Sequence, residues 1–170
     1  MKTFTRAGLA VLVALVLTTA SGCTPNKEKE DKKASDMQTA SEADITRRVN
    51  EYAGQVAAAT GSTLANPATS SAPCEGRRGE MDESIRTVQG VYNIPVAPDK
   101  HLETLARLRD QWRAQGWTIT EDRTFPNGNE GTITAKTTPD SYSLTVSGTK
   151  EPTALLLLVH SACYKSTDPL

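Results

Sequence analysis

The sequence predicts an α+β domain: an antiparallel sheet of about five strands with two helices packed on one face. Three observations lead there. Two segments, beginning near residues 41 and 98, repeat their apolar side chains at helical spacing, and a mixed apolar stretch at 84–94 lies between them as a strand. After the second helix, four segments rich in Thr, Ile, Val and Leu follow one another, separated by Pro, Gly, Asn and Asp. Short connections make strands that are neighbours in sequence neighbours in the sheet, so the order reads as a meander with the helices segregated from it.

The chain begins with Lys2 and Arg6, then an uncharged apolar run from Ala7 to Leu17, then Thr19-Ala20-Ser21-Gly22-Cys23. A positive start, a short apolar run and small residues before a cut make residues 1–22 a secretory signal peptide. The run is too short to span a hydrocarbon core, which takes roughly 20 residues. The cysteine at the cut resembles the lipobox of bacterial lipoproteins. That resemblance implies that Cys23 is diacylated and holds the protein to the bilayer on the outer, extracytoplasmic face of the cell membrane. Two acyl chains suffice for stable anchoring, since each buried methylene contributes about 0.8 kcal/mol. Residues 23–40 then read as lipid anchor and flexible tether. Lys27, Lys29, Lys32 and Lys33 balance Glu28, Glu30, Asp31 and Asp36, with almost no apolar side chain to bury.

Residues 41–170 read as a single domain, long enough for a hydrophobic core. From Ser41 onward there are 13 Lys/Arg and 16 Asp/Glu, a net charge of −3. This balance argues against nucleic acid as a partner, which would call for a basic face. Ser41-Glu42-Ala43-Asp44 is a capping box, and Ile45, Val49, Tyr52, Ala53 and Val56 follow at helical spacing up to a stop at Gly61. Residues 61–79, rich in Ser, Thr, Ala, Pro and Gly, read as a long loop. Pro98-Asp99 opens the second helix, with Leu102, Leu105, Leu108 and Trp112 along one side. Gly116 suits a left-handed C-terminal cap, with Trp117 folding back beyond it. Thr118–Phe125 and Gly131–Thr137 form a hairpin around Pro126-Asn127-Gly128-Asn129. Ser141–Ser147 alternates cleanly, and the last strand runs from Thr153 to about Tyr164.

With Cys23 acylated, two cysteines remain, Cys74 and Cys163. In an exported chain such a pair most simply forms one disulfide; a redox pair is the rival reading, and no Cys-x-x-Cys favours it. The two histidines, His101 and His160, have no second ligand at a metal-binding interval, so neither a metal nor a cofactor is expected. Glu80, Asp82 and Glu83 could do acid–base work, but beside Arg77 and Arg78 they read as a solvated loop. Trp112 and Trp117 read as core and cap packing rather than as a ligand-stacking pair. No Gly-x-Ser-x-Gly, Ser-x-x-Lys or phosphate-cradling loop is present.

The last strand is apolar on both faces. Leu155, Leu157 and Val159 share one, and Leu156, Leu158, His160 and Tyr164 share the other. Either the first helix reaches across to cover the second face, or that face is a recessed patch for an envelope protein or ligand.

The string ending at Cys23, the Pro73-Cys74-Glu75-Gly76 segment, the Trp112…Gly116-Trp117 helix end and Ser161-Ala162-Cys163 together resemble the small, LppA-like envelope lipoproteins of actinobacteria. The resemblance implies an anchored, extracytoplasmic and non-catalytic domain, a binding or adaptor module of the cell envelope. A hydrolase acting on envelope polymer and a lipid carrier are the alternatives.

Overall fold

A computed structural model describes residues 37–76, 78–149 and 153–169. The first helix, α1, spans Glu42–Thr60. Its start is fixed by Ser41, whose hydroxyl oxygen accepts from the Asp44 N–H (3.1 Å) and whose proton is donated to the Asp44 carboxylate (2.8 Å). It ends at Gly61 in the left-handed conformation (φ +67°), where the Ser62 N–H returns to the Ala57 carbonyl. The five residues picked out by helical spacing, Ile45, Val49, Tyr52, Ala53 and Val56, are the ones it buries.

The second helix, α2, spans His101–Ala114 behind a 3-10 turn at Pro98–Lys100. Of the four residues that the apolar spacing places on the inner side, Leu105, Leu108 and Trp112 are buried and Leu102 is not, being 37% exposed. His101 and Thr104 are buried beside the three. Gly116 (φ +76°) caps the end, and the Trp117 N–H donates to the Trp112 carbonyl, which folds the two indoles together at 5.9 Å.

The strands are β1 Thr39–Ala40, β2 Ala65–Glu75, β3 Met81–Pro95, β4 Thr118–Thr124, β5 Gly131–Lys136, β6 Ser143–Gly148, β7 Ala154–His160 and β8 Tyr164–Ser166. They form one sheet. β2 lies at one side, followed by β3, β7, β6, β5 and β4, while β8 continues the line of β7 along β3 and carries β1 outside it. The β1–β8 pairing is parallel and the others are antiparallel. The α+β class is as the sequence predicts, but the sheet has eight strands rather than about five and is mixed rather than purely antiparallel.

The additional strands have identifiable causes. The segment read as a long loop contains β2, an exposed strand of small residues paired along β3. The final strand is broken, since Ala162 and Cys163 bulge out between β7 and β8. Ser161 bridges the gap, its N–H donating to the Val88 carbonyl and its hydroxyl accepting from the Val88 N–H, both at 2.9 Å. The fold also reaches back beyond Ser41. The Lys165 N–H donates to Gln38, the Thr167 N–H donates to Ala40, and the Asp168 carboxylate accepts from the Glu42 N–H at the start of α1 (2.7 Å).

Both helices pack on the same face of the sheet. Gly90 in β3 marks one contact, because a Cβ there would lie 2.6 Å from Val49 of α1 and from the Tyr92 hydroxyl. A Cβ at Gly131 in β5 would meet Leu105 of α2 at 3.3 Å. Beneath the helices, Val88, Tyr92, Ile94, Ile133, Leu144, Val146, Leu155, Leu157 and Val159 complete a single core. Among the described residues no helix is long and apolar enough to cross a membrane.

Candidate binding face

The opposite face of the sheet carries neither helix. Strand register decides which side chains it presents, because residues paired across strands point the same way. Leu158 is paired with Val91 on one side and Thr145 on the other, and Thr145 with Thr134. Leu156 lies between Asn93 and Ser147, and His160 between Gln89 and Ser143. The result is a short apolar stripe, Val91, Leu156 and Leu158, set in a field of small hydroxyl and amide side chains. All three are half-buried. The hydroxyls of Thr134 and Thr145 meet at 3.0 Å, and Thr134 donates to Glu121 (3.3 Å), which also accepts from Arg123 (2.8 Å). These contacts hold the polar flank flat and leave the leucines standing above small neighbours.

Leu156, Leu158 and His160 therefore come together on this face. Tyr164 does not. The bulge at Ala162–Cys163 shifts the strand phase, and Tyr164 turns to the helix side, where it is 1% exposed and part of the core. Period-2 counting carried straight through 161–163 cannot detect that shift. Nor does α1 cross over to protect the leucines, since its apolar side is spent on Gly90, Tyr92 and their neighbours. The structure thus departs from the covering role that the sequence allows for the first helix.

Cys74 and Cys163 form a disulfide, with 6.2 Å between their Cα atoms and 89 residues of separation. It crosses β3, tying the end of β2 to the bulge between β7 and β8. Cys23, the expected signal segment 1–22 and the part of the expected tether up to residue 36 lie outside the described residues.

A second cluster, not foreseen from the sequence, sits at the turn between β5 and β6. The Asp140 carboxylate accepts hydrogen bonds from the Tyr52 hydroxyl (2.7 and 2.9 Å), the Thr137 hydroxyl (2.6 Å) and Arg48 Nε (3.3 Å). Burial pushes its pKa up, but the bonds from Thr137, Tyr52 and Arg48 outweigh that and hold it below the usual carboxylate range. Tyr52 is raised, by burial first and then by Asp140, and burial pushes Tyr142 up to about 12. Around them Tyr52 packs on Trp117 (5.6 Å) and Tyr142 (5.1 Å), with the Arg48 guanidinium over the Tyr52 ring. With the carboxyl shifted down and the phenols shifted up, away from neutrality, these groups are poor proton carriers near neutral pH. The cluster is suited to latching α1 onto the turn. A Tyr, Thr and Arg spread over 90 residues leave no local motif from which to find it.

The remaining candidates are structural as placed. His101 is fully buried, its Nε2 3.1 Å from the Val96 carbonyl oxygen. Glu80 accepts from the Arg78 N–H, and Asp82 from the Ser84 N–H and hydroxyl. Among the described residues no three His, Cys, Asp or Glu side chains gather as a metal would require. Two open clefts flank the start of α1, lined by Glu42, Arg47, Asn50, Glu83, Arg86 and Asp168. Arg86 is shared between Glu83 (3.5 Å) and Glu42 (3.8 Å), the pairing of a solvated surface. No family model, no curated protein and no solved structure matches the chain.

Proposed function

We propose that this chain is an extracytoplasmic lipoprotein of a bacterial envelope, held to the cell membrane by acylated Cys23, whose domain is a non-catalytic binding or adaptor module. It works by presenting the uncovered sheet face around Leu156 and Leu158 to an envelope protein or ligand. The observation that carries this reading is the asymmetry of the sheet: one face is packed by both helices, and the other offers Val91, Leu156 and Leu158 without a covering layer among the described residues. The signal segment and Cys23 supply the address, through their resemblance to the small actinobacterial envelope lipoproteins. The Cys74–Cys163 bridge fits an oxidising compartment, where such bonds persist. Both clefts are wide open and lined by paired charges, which suits neither a polymer hydrolase nor a lipid carrier as well as it suits a binding surface.

The test separates address from activity. Radiolabelled palmitate should enter the protein made in its native cell and fail to enter Cys23→Ser. A photo-crosslinking side chain at position 158 should capture one discrete partner in that cell. The double variant Leu156→Ser, Leu158→Ser should stay folded, with its melting temperature lowered by no more than about 10 °C, and lose partner binding. Collapse of the fold in the double variant, or capture no different from that at the exposed position Thr120, refutes the binding face.

A further inference from the structure

The two edges of the sheet are unlike. β4 carries Glu121, Asp122 and Arg123 in succession, the kind of charged edge that discourages another strand from adding. β2 closes the opposite side, and among the described residues its outer edge pairs with no strand. Between two register shifts, at Ala65/Ala68 and Pro73/Cys74, residues 68–73 run in unbroken register along β3. Ala68, Thr69, Ser70 and Ala72 are exposed, and no residue of the stretch is charged. The sequence here is Pro67-Ala68-Thr69-Ser70-Ser71-Ala72-Pro73, which reads nearly the same in both directions about Ser70.

We propose that this edge is an interface between two copies of the chain, β2 adding antiparallel to β2 about a two-fold axis through Ser70. An interface of this symmetry brings one surface against itself, so it needs a self-complementary sequence. The near-palindrome supplies one. Ser70 meets Ser70 of the partner subunit, Ala68 faces Ala72 of the partner subunit, and Thr69 faces Ser71 of the partner subunit. Hydroxyl pairs are favourable across strands, the alanine pairs are neutral and small enough not to clash, and like charges, which would be repulsive, are absent. Pro67 and Pro73 delimit the pairing at both ends, since proline has no N–H to donate. The disulfide at Cys74 holds the strand against its own sheet, so little order remains to be imposed on pairing.

The axis stands perpendicular to the sheet, so both uncovered faces fall on the same side and join into one surface, with the four helices on the other. A few small residues bury well under the roughly 1,200 Å² of a standard interface, so the pair is weak between freely diffusing molecules. Two copies held on one membrane are confined to a thin layer, which raises their effective concentration and favours the pair. This last step rests on the anchoring of Cys23; the pairing itself does not.

Ser70→Cys in the full chain tests it. Mild oxidation should give a disulfide-linked dimer both in native membranes and, at higher protein concentration, in the soluble Cys23→Ser form. Thr120→Cys on the β4 edge should give at least tenfold less. Adding Ala68→Lys and Ala72→Lys to Ser70→Cys should cut the yield at least tenfold, and mixing with the matching glutamate variant should restore it. A Ser70→Cys chain that stays monomeric in both settings overturns the proposal, as does crosslinking equal to that of Thr120→Cys. Dimers in the soluble form, with no palmitate entering the chain that keeps Cys23, would defeat the anchor alone, and palmitate labelling of that chain without dimers in either setting would defeat the pairing alone.

Discussion

Asp140 accepts from three side chains in a half-buried turn, and one of them, the Tyr52 hydroxyl, comes from a helix 88 residues away in sequence. Hydrogen bonds to a charged group are worth about 1.5–3 kcal/mol, and a buried charge deprived of a donor loses part of that. Tyr52→Phe should therefore cost about 1–2 kcal/mol at pH 7. The sign of the pH dependence follows from the direction of the shift. A carboxyl held below its ordinary value of about 3.9 stabilises the fold above that pH, and this contribution is lost as pH falls through the lower folded value. Denaturant melts of the wild type and Tyr52→Phe should thus differ most at neutral pH and converge in acid, with Asp140→Asn losing the part of the acid-side slope that Asp140 contributes. A gap between wild type and Tyr52→Phe that stays constant from neutral pH down to about pH 2 would mean that the hydroxyl acts through packing and not through the carboxylate.

At the scale of elements, the disulfide does for β2 what side-chain burial does elsewhere. β2 has few apolar residues to hold it, so its order depends on pairing with β3 and on the bridge to Cys163. Replacing both cysteines by serine should cost about 2–4 kcal/mol. Amide exchange should then rise across residues 68–73 far more than in β7; equal acceleration in both strands would show that the bridge stabilises the molecule only globally. The same contrast explains what the sequence discloses. α1 was legible to the residue because a capping serine, five apolar positions and a terminal glycine agree. β4, β5 and β6 were legible because alternation and turn residues coincide. β2 was not, since an edge strand of Ala, Ser and Thr, exposed over most of its length, leaves no periodic trace. The break at Ala162–Cys163 was equally silent, because a bulge is made by backbone phase and no residue type announces it. That one unseen shift is why Leu156, Leu158 and His160 reach the candidate face and Tyr164 does not.

The described residues build two layers, helices on sheet, and adjacent residues of β7 report on the two sides of the sheet. Leu157 is fully buried between Tyr92 and Val146, under the helices. Leu158, the next residue, is half-buried between Val91 and Thr145 on the uncovered side. Strand propensity and backbone pairing are the same for both, so a pair of identical substitutions isolates the effect of the helix layer. Leu157→Ala removes transfer energy and leaves a cavity that the helices cannot fill, which should cost about 2–5 kcal/mol. Leu158→Ala only trims a surface already in contact with water, and should cost less than about 1 kcal/mol. Binding at the proposed face should rank the other way, with Leu158→Ala weakening it and Leu157→Ala, while still folded, leaving it intact. Equal destabilisation by the two substitutions in urea would mean that something covers the second face of the sheet, and the surface left for a partner would have to be sought elsewhere on the molecule.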